Sequence, residues 1–216
     1  DGDSWLEFRR VLFRSDSMAD NHGIKWSSLK KANDDIYAWI YIPNTNVDYP
    51  IVQSSVYESD TLYLDHNIDK KPDIAGAIFS ERANRKDFSD PVTVIYGHNM
   101  KNGSMFKTLH SFEDAKFFKK NKFIYIYTEK RKLTYKIYSA YVYDDRHILN
   151  SFNFEDKKIF KKYLKSTQNP QSLTKNTRKV DLNTDSKVLT LSTCTNGAAN
   201  TRYLVQGVLI KDEQTK

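Results

Sequence analysis

The stretch "VLTLSTCTNGAANTRYLVQGVLI", residues 188–210, holds the single cysteine of the chain, Cys194. Two apolar-rich runs flank a short polar loop, which reads as two strands joined by a turn. The first run ends on Cys194 and the second opens with Arg202. Strand alternation puts Leu189 and Leu191 on one face, and Thr190, Ser192 and Cys194 on the other. With the leucines toward the core, the thiol faces outward into a groove. A strand end supports a side chain rigidly while leaving it within reach of a substrate.

Working outward, "PVTVIYG" (residues 91–97) reads as a second strong strand, with Pro91 in the first-residue position that proline tolerates, and His98 follows it. "IYAWIYI" is stopped by Pro43, "NTN" makes a turn into "VDYPIVQ", and "GAIFS" is a short buried strand. "KFIYIYT" and "KLTYKIYSAYVY" alternate at period two around "EKRK", which predicts a hairpin. Helical signals are few. One short helix is expected in "WSSLKKA", capped by Ser27 or Ser28, and another through "FEDAKFFKK", capped by Ser111 with Asp114 behind it. In "NFEDKKIFKKYLKST", Phe160 and Leu164 are four apart, acids come first and lysines last, and Pro170 ends the segment. About eight strands without a βαβ alternation or a repeat predict a mainly β fold: a closed or nearly closed barrel with helical decorations.

At 216 residues and 39% hydrophobic, the chain supports one sizeable core, hence a single domain over residues 21–216. Residues 1–20 read differently. They lack a settled period and contain "LEF" and "RS", dipeptides typical of cloning junctions, so they are taken as vector-derived and set aside. A native membrane anchor preceding Ile24 would have been removed with that replacement. The abundance of tyrosine, 14 residues, favours strands with one wet face. No apolar run approaches the roughly 18 residues that span a bilayer, so this chain is expected to be soluble. The net charge of +7 is spread over mixed clusters such as "KKNK" and "DKKIFKK", which read as solvated faces. A basic surface also suits a membrane surface or an acidic wall polymer. Nothing resembles a nucleic-acid module, so no nucleic acid is expected as a partner.

One cysteine excludes an intramolecular disulfide and leaves a Cys/His zinc site incomplete, so no cofactor or metal is expected. Asp65, Asp69 and Asp73 are spaced along a loop as a weak calcium candidate. His66, His110 and His147 read as structural or surface residues, and His22 lies at the suspected junction. The pair Asp90–Pro91 reads as the start of the strand that leads to His98.

Three strand ends thus deliver His98, Cys194 and Arg202, and the chemistry gives each a task. An ordinary cysteine is only a few per cent thiolate at neutral pH, and a nearby guanidinium and imidazolium would favour the anion. A thiolate attacks a carbonyl carbon, an imidazole protonates the leaving amine, and a guanidinium holds a backbone or an oxyanion. On local physics alone two readings stand: this nucleophile, or a buried structural thiol. With the second goes a non-catalytic β-barrel that binds wall polymers through its basic face.

"TLSTC" (residues 190–194) resembles the TLxTC signature of sortases, the cysteine transpeptidases of Gram-positive cell surfaces. "IYGHNM" with "GSMF" behind it is similar to the histidine segment of that family, and "TRYLV" to its arginine-bearing last strand. "WIYIPNTNVDYPIVQ", "LYLDHN" and "GAIF" look like the opening strands of class B members in particular. The resemblance runs from Asn33 to Ile210. It implies a closed eight-stranded sortase-type β-barrel with an N-terminal helix, and a helix between strands six and seven at "FEDKKIFKKYLKST". It further implies that His98, Cys194 and Arg202 are catalytic, with Thr193, Ser192, Leu191 and Asn99 as substrate contacts. The implied reaction cleaves a Pro-x-Thr-containing sorting motif of secreted surface proteins after its threonine, through a thioester. The acyl group then passes to an amine of a peptidoglycan precursor or stem peptide, at the outer face of the membrane. "TNGAAN", between Cys194 and Arg202, is shorter than in relatives with longer loops there.

Overall fold

The computed structural model describes residues 21–196 and 200–215, so the suspected vector-derived segment lies outside the described residues. Helix α1 (Trp26–Ala32) buries Trp26 and Leu29. The residue before it is Lys25, which makes no side-chain cap, and Ser27 and Ser28 already lie inside the first turn. The expected serine cap is therefore absent, and the helix is held by its two buried side chains.

Among the described residues nine strands follow: β1 (Ile36–Tyr41), β2 (Asp48–Val52), β3 (Ile78–Phe79), β4 (Val92–Tyr96), β5 (Phe123–Tyr127), β6 (Arg131–Asp144), β7 (Lys175–Thr177), β8 (Val188–Cys194) and β9 (Thr201–Gln214). They are bonded in the order β5-β1-β2-β3-β4-β8-β9-β6, and β6 pairs again with β5. Of these, β7 alone stays outside this ring, so eight strands close the barrel. Strand β6 is the spine. Along one side it pairs with β9 over its whole length, and along the other with β5 first and β7 later. Two register shifts against β9, at Thr134/Tyr135 and Ile137/Ser139, give it the bend that closure needs.

Alternation sorts the side chains into layers. Ile40, Ile51, Ile95, Ile126, Leu133, Leu189, Leu191 and Val205 fill the barrel. The outer faces are covered as well, which differs from the expected wet face. Trp39, Val52, Phe79 and Tyr127 pack under α1 with Trp26 and Leu29. Val92, Val94, Tyr138, Tyr141, Leu204 and Val208 pack under helix α4 (Lys157–Gln168) with Phe160, Tyr163 and Leu164. Burying each of those three α4 side chains stabilises by about 1.5–3 kcal/mol. This helix lies between the sixth and seventh strands and is capped by Asp156, which accepts from the amides of Lys158 and Ile159. The tyrosines thus seal a second layer of core. Three hydroxyls in this layer are matched: Tyr138 bonds Thr167 Oγ1, Tyr141 donates to Gln206 Oε1, and Gln206 donates to Tyr163 and to Thr190.

Helix α2 (Ala115–Lys120) is capped by Asp114, which accepts from Phe117 N at 2.7 Å. Ser111, expected in that role, lies instead within a 3-10 segment, Lys107–Glu113. Helix α3 (Ile148–Ser151) begins at His147.

Strands β4 and β8 are parallel, and β8 and β9 are antiparallel. The C-terminal ends of β4 and β8 and the N-terminal end of β9 therefore meet at one rim of the barrel.

Candidate active site

The register fixes which residues stand side by side at that rim. Tyr96 is level with Ser192 across the β4–β8 pair, and Cys194 is level with Arg202 across β8–β9. Two residues beyond Tyr96 the chain reaches His98, and two residues beyond Ser192 it reaches Cys194. His98, two residues past the end of β4, Cys194, the last residue of β8, and Arg202, near the start of β9, thus lie at one rim of the barrel.

Cys194 is exposed, the first residue of β8 to be so after six buried ones. The outward face at Thr190 and Ser192 lies under cover, and the thiol clears it only because the strand runs past the covering layer. This exposure is contrary to what a structural thiol requires. Arg202 donates from Nη1 to Thr201 O at 3.1 Å and makes no ion pair among the described residues, so its charge is uncommitted. Its field reaches Tyr96. Burial pushes the Tyr96 hydroxyl up, Glu81 and Asp60 push it further, and Arg202 opposes them.

Beyond β4, Gly97 extends the ladder by donating to Ser192 O at 3.2 Å. Only glycine fits here, since a Cβ would lie 2.6 Å from Ile78 and 2.7 Å from the Phe106 ring. The following loop folds back through Gly103, at φ +86°, and Phe106 N donates to His98 O at 2.9 Å. The imidazole of His98 is held by Nε2 against Leu64 O at 2.5 Å. A carbonyl only accepts, so Nε2 carries a hydrogen and Nδ1 is the nitrogen without a partner among the described residues.

Of the four expected substrate contacts, Leu191 is corrected. Its side chain is fully buried inside the barrel, because alternation points it inward, so it offers no side-chain contact. Ser192 and Thr193 are also buried, which leaves mainly their backbones for contact. Asn99 lies at the site, but its Nδ2 is occupied, donating to Cys194 O and to Asn196 Oδ1, both at 2.9 Å.

Three residues that sequence reasoning passed over also meet here. His110, expected at the surface, has a side chain only 9% exposed, and its Nε2 lies 3.0 Å from Cys194 O. Lys107 donates to Asn196 Oδ1 at 2.9 Å. Glu113 meets His110 Nδ1 at 2.5 Å. The readable signal was Phe106, Leu109 and Phe112, three buried residues at period three, which is a 3-10 spacing. Elsewhere, His66 bonds Asp65, His147 pairs with Glu81, and His22 bonds Asp48. Asp90 accepts from the Arg85 amide just before β4. Among the described residues, no group of three or more His, Cys, Asp or Glu side chains is placed to hold a metal.

A family model described as a sortase domain matches residues 40–210. The chain belongs to the sortase family, within its class B. It is 31% identical to sortase B of Listeria monocytogenes over 84% of this chain and 72% of that one. The X-ray structure of Clostridium perfringens sortase B superposes with a TM-score of 0.74 at 34% identity, covering 87% of this chain and 100% of that one. Staphylococcus aureus sortase B shares the fold at 24% identity, with a TM-score of 0.79 over 97% and 96% of the two chains. This sortase is therefore a cysteine transpeptidase of the kind that acts at the cell surface. No helix among its described residues is long and apolar enough to cross a membrane.

Proposed function

We propose that this sortase cleaves a Pro-x-Thr-containing sorting motif near the C-terminus of secreted surface proteins and joins them to a peptidoglycan amine. Cys194 is the nucleophile, His98 the acid and base, and Arg202 the stabilising donor. In the first half-reaction the Cys194 thiolate attacks the threonine carbonyl carbon. The carbon–nitrogen bond then breaks, His98 gives its proton to the leaving amine, and a thioester remains. In the second half-reaction an amine of the precursor or stem peptide attacks the thioester. It loses its proton to His98, and the thiolate departs as the new amide forms. The five-donor fork of Arg202, with no carboxylate paired to it among the described residues, is suited to the oxyanion or to the substrate backbone. Ser192 and Thr193 contribute backbone groups beside the scissile bond, and Asn99 contributes through the backbone of Cys194. Such a reaction places the domain at the outer face of the membrane, anchored through a segment N-terminal to it.

The observation that carries the reading is an exposed thiol at the end of β8, level with an Arg202 that makes no ion pair among the described residues, with His98 just past the end of the neighbouring β4. The test is cleavage of a fluorogenic peptide containing Asn-Pro-x-Thr. The wild-type chain releases the fluorophore and Cys194→Ala does not, whereas normal cleavage by that variant ends the proposal. A screen of peptide libraries read by mass spectrometry then defines the motif.

A further inference from the structure

In a 3-10 helix, residues three apart lie one above another. The segment Lys107–Glu113 therefore carries two stripes side by side. Phe106, Leu109 and Phe112 form the apolar one and are all fully buried. Lys107, His110 and Glu113 form the polar one, and each of its members bears on the nucleophile or on the loop that follows it. Lys107 donates to Asn196 Oδ1, His110 Nε2 meets Cys194 O at 3.0 Å, and Glu113 holds His110 Nδ1 at 2.5 Å. Tyr203, next to Arg202 on β9, stacks on the His110 ring at 4.9 Å and sets its plane.

We propose that His110 is a positioning residue for this sortase, oriented by Glu113 and Tyr203, which fixes the backbone of Cys194 through its carbonyl oxygen. The carbonyl of Cys194 only accepts, so the ring donates to it from Nε2. The charged groups facing the ring from its own segment are Glu113 and, through Asn196, Lys107. From β9 it meets the uncharged ring of Tyr203. The carbonyl of Cys194 receives a second bond from Asn99 Nδ2, from the loop after β4. The carbonyl at the end of β8 is thus gripped from two sides, while the N–H of the same peptide, Thr195 N, makes a long bond of 3.4 Å to Thr201 O. Holding that carbonyl fixes the direction of the Cα–Cβ bond, and with it the line of attack of Sγ. A small error in that line is costly in rate and leaves substrate binding unaltered.

The inference rests on Cys194 being the nucleophile, and the experiment separates the two. Peptide cleavage is followed for the full chain and for His110→Ala, His110→Gln and Cys194→Ala, each matched for folded fraction by circular dichroism. His110→Ala is expected to lower kcat by about tenfold or more with KM within about twofold. His110→Gln keeps one N–H donor and is expected to return kcat to within about threefold of wild type. A purely structural role would lower the melting temperature and leave kcat per folded molecule unchanged. That outcome, with Cys194→Ala inactive, overturns the positioning role alone. Wild-type cleavage by Cys194→Ala overturns the nucleophile assignment and this inference with it. Should His110→Ala fail to fold, Glu113→Gln, at a side chain 41% exposed, serves in its place. A severalfold lower kcat at unchanged melting temperature supports the proposal, and an unchanged kcat refutes it.

Discussion

Cys194 and Arg202 stand on strand ends whose places follow from the barrel's register, with His98 two residues past a third, whereas Lys107, His110 and Glu113 stand on a 3-10 segment held by side-chain packing. In the first region, hydrogen-bond ladders on β4, β8 and β9 set positions to within a residue, and a one-residue slip would turn every side chain to the wrong face. In the second region the backbone has poorer bonds of its own. Its place depends on Phe106, Leu109 and Phe112 filling the barrel mouth, and on Phe106 N reaching His98 O. The row of reactive groups thus has a stiff frame. The brace behind it is as firm as three buried side chains make it.

Leu109→Ala breaks that comparison most forcefully. Removing a fully buried leucine is expected to cost about 2–5 kcal/mol, read as a lower midpoint in urea or heat. If the brace matters, kcat of the folded fraction falls too. A loss of stability with kcat intact would show the 3-10 segment to be filler. Arg202→Lys probes the stiff region instead. It keeps the charge but loses the fork, and about a hundredfold fall in kcat/KM is expected. Because Arg202 makes no ion pair among the described residues, the melting temperature should hold. A full rate in this variant would remove Arg202 from the role of oriented donor.

Legibility in the sequence followed the same divide. Alternation in "KVLTLSTC" and "RYLVQGVLI", and the run into "YGH", located the three strand ends, because period two is written directly in residue order. The helix with Phe160, Tyr163 and Leu164 was equally readable from its spacing. What escaped has a physical reason in each case. β7, at Lys-Asn-Thr, has no apolar alternation and forms only because β6 offers it an edge. The tyrosines of β6 look amphipathic, and only the return of α4 over them makes their face dry. The apolar period of three from Phe106 to Phe112 is short and overlaps a plausible serine cap at Ser111, so residue order alone leaves His110 facing solvent. Leu191 was placed against the substrate by motif position, although its own alternation points it into the core.

Thr193 gives the smallest and most discriminating test of the stiff region. It sits one residue before the nucleophile on the inward face of β8, level with Tyr203 on β9, and is 2% exposed. Its Oγ1 has no hydrogen-bond partner among the described residues, nor does the Tyr203 hydroxyl. A buried hydroxyl without a partner forfeits its hydration, and a methyl of the same shape does not. Thr193→Val is therefore expected to raise stability by about 1 kcal/mol, or roughly 2–4 °C in melting temperature for a chain of this size. Cleavage of the sorting peptide should stay within about twofold of wild type, since Cys194 takes its direction from the ladder and from the bonds on its own carbonyl. If kcat/KM instead drops by about tenfold with a raised KM, the hydroxyl has a partner in the substrate. The strand end would then read the peptide through a side chain as well as through its backbone.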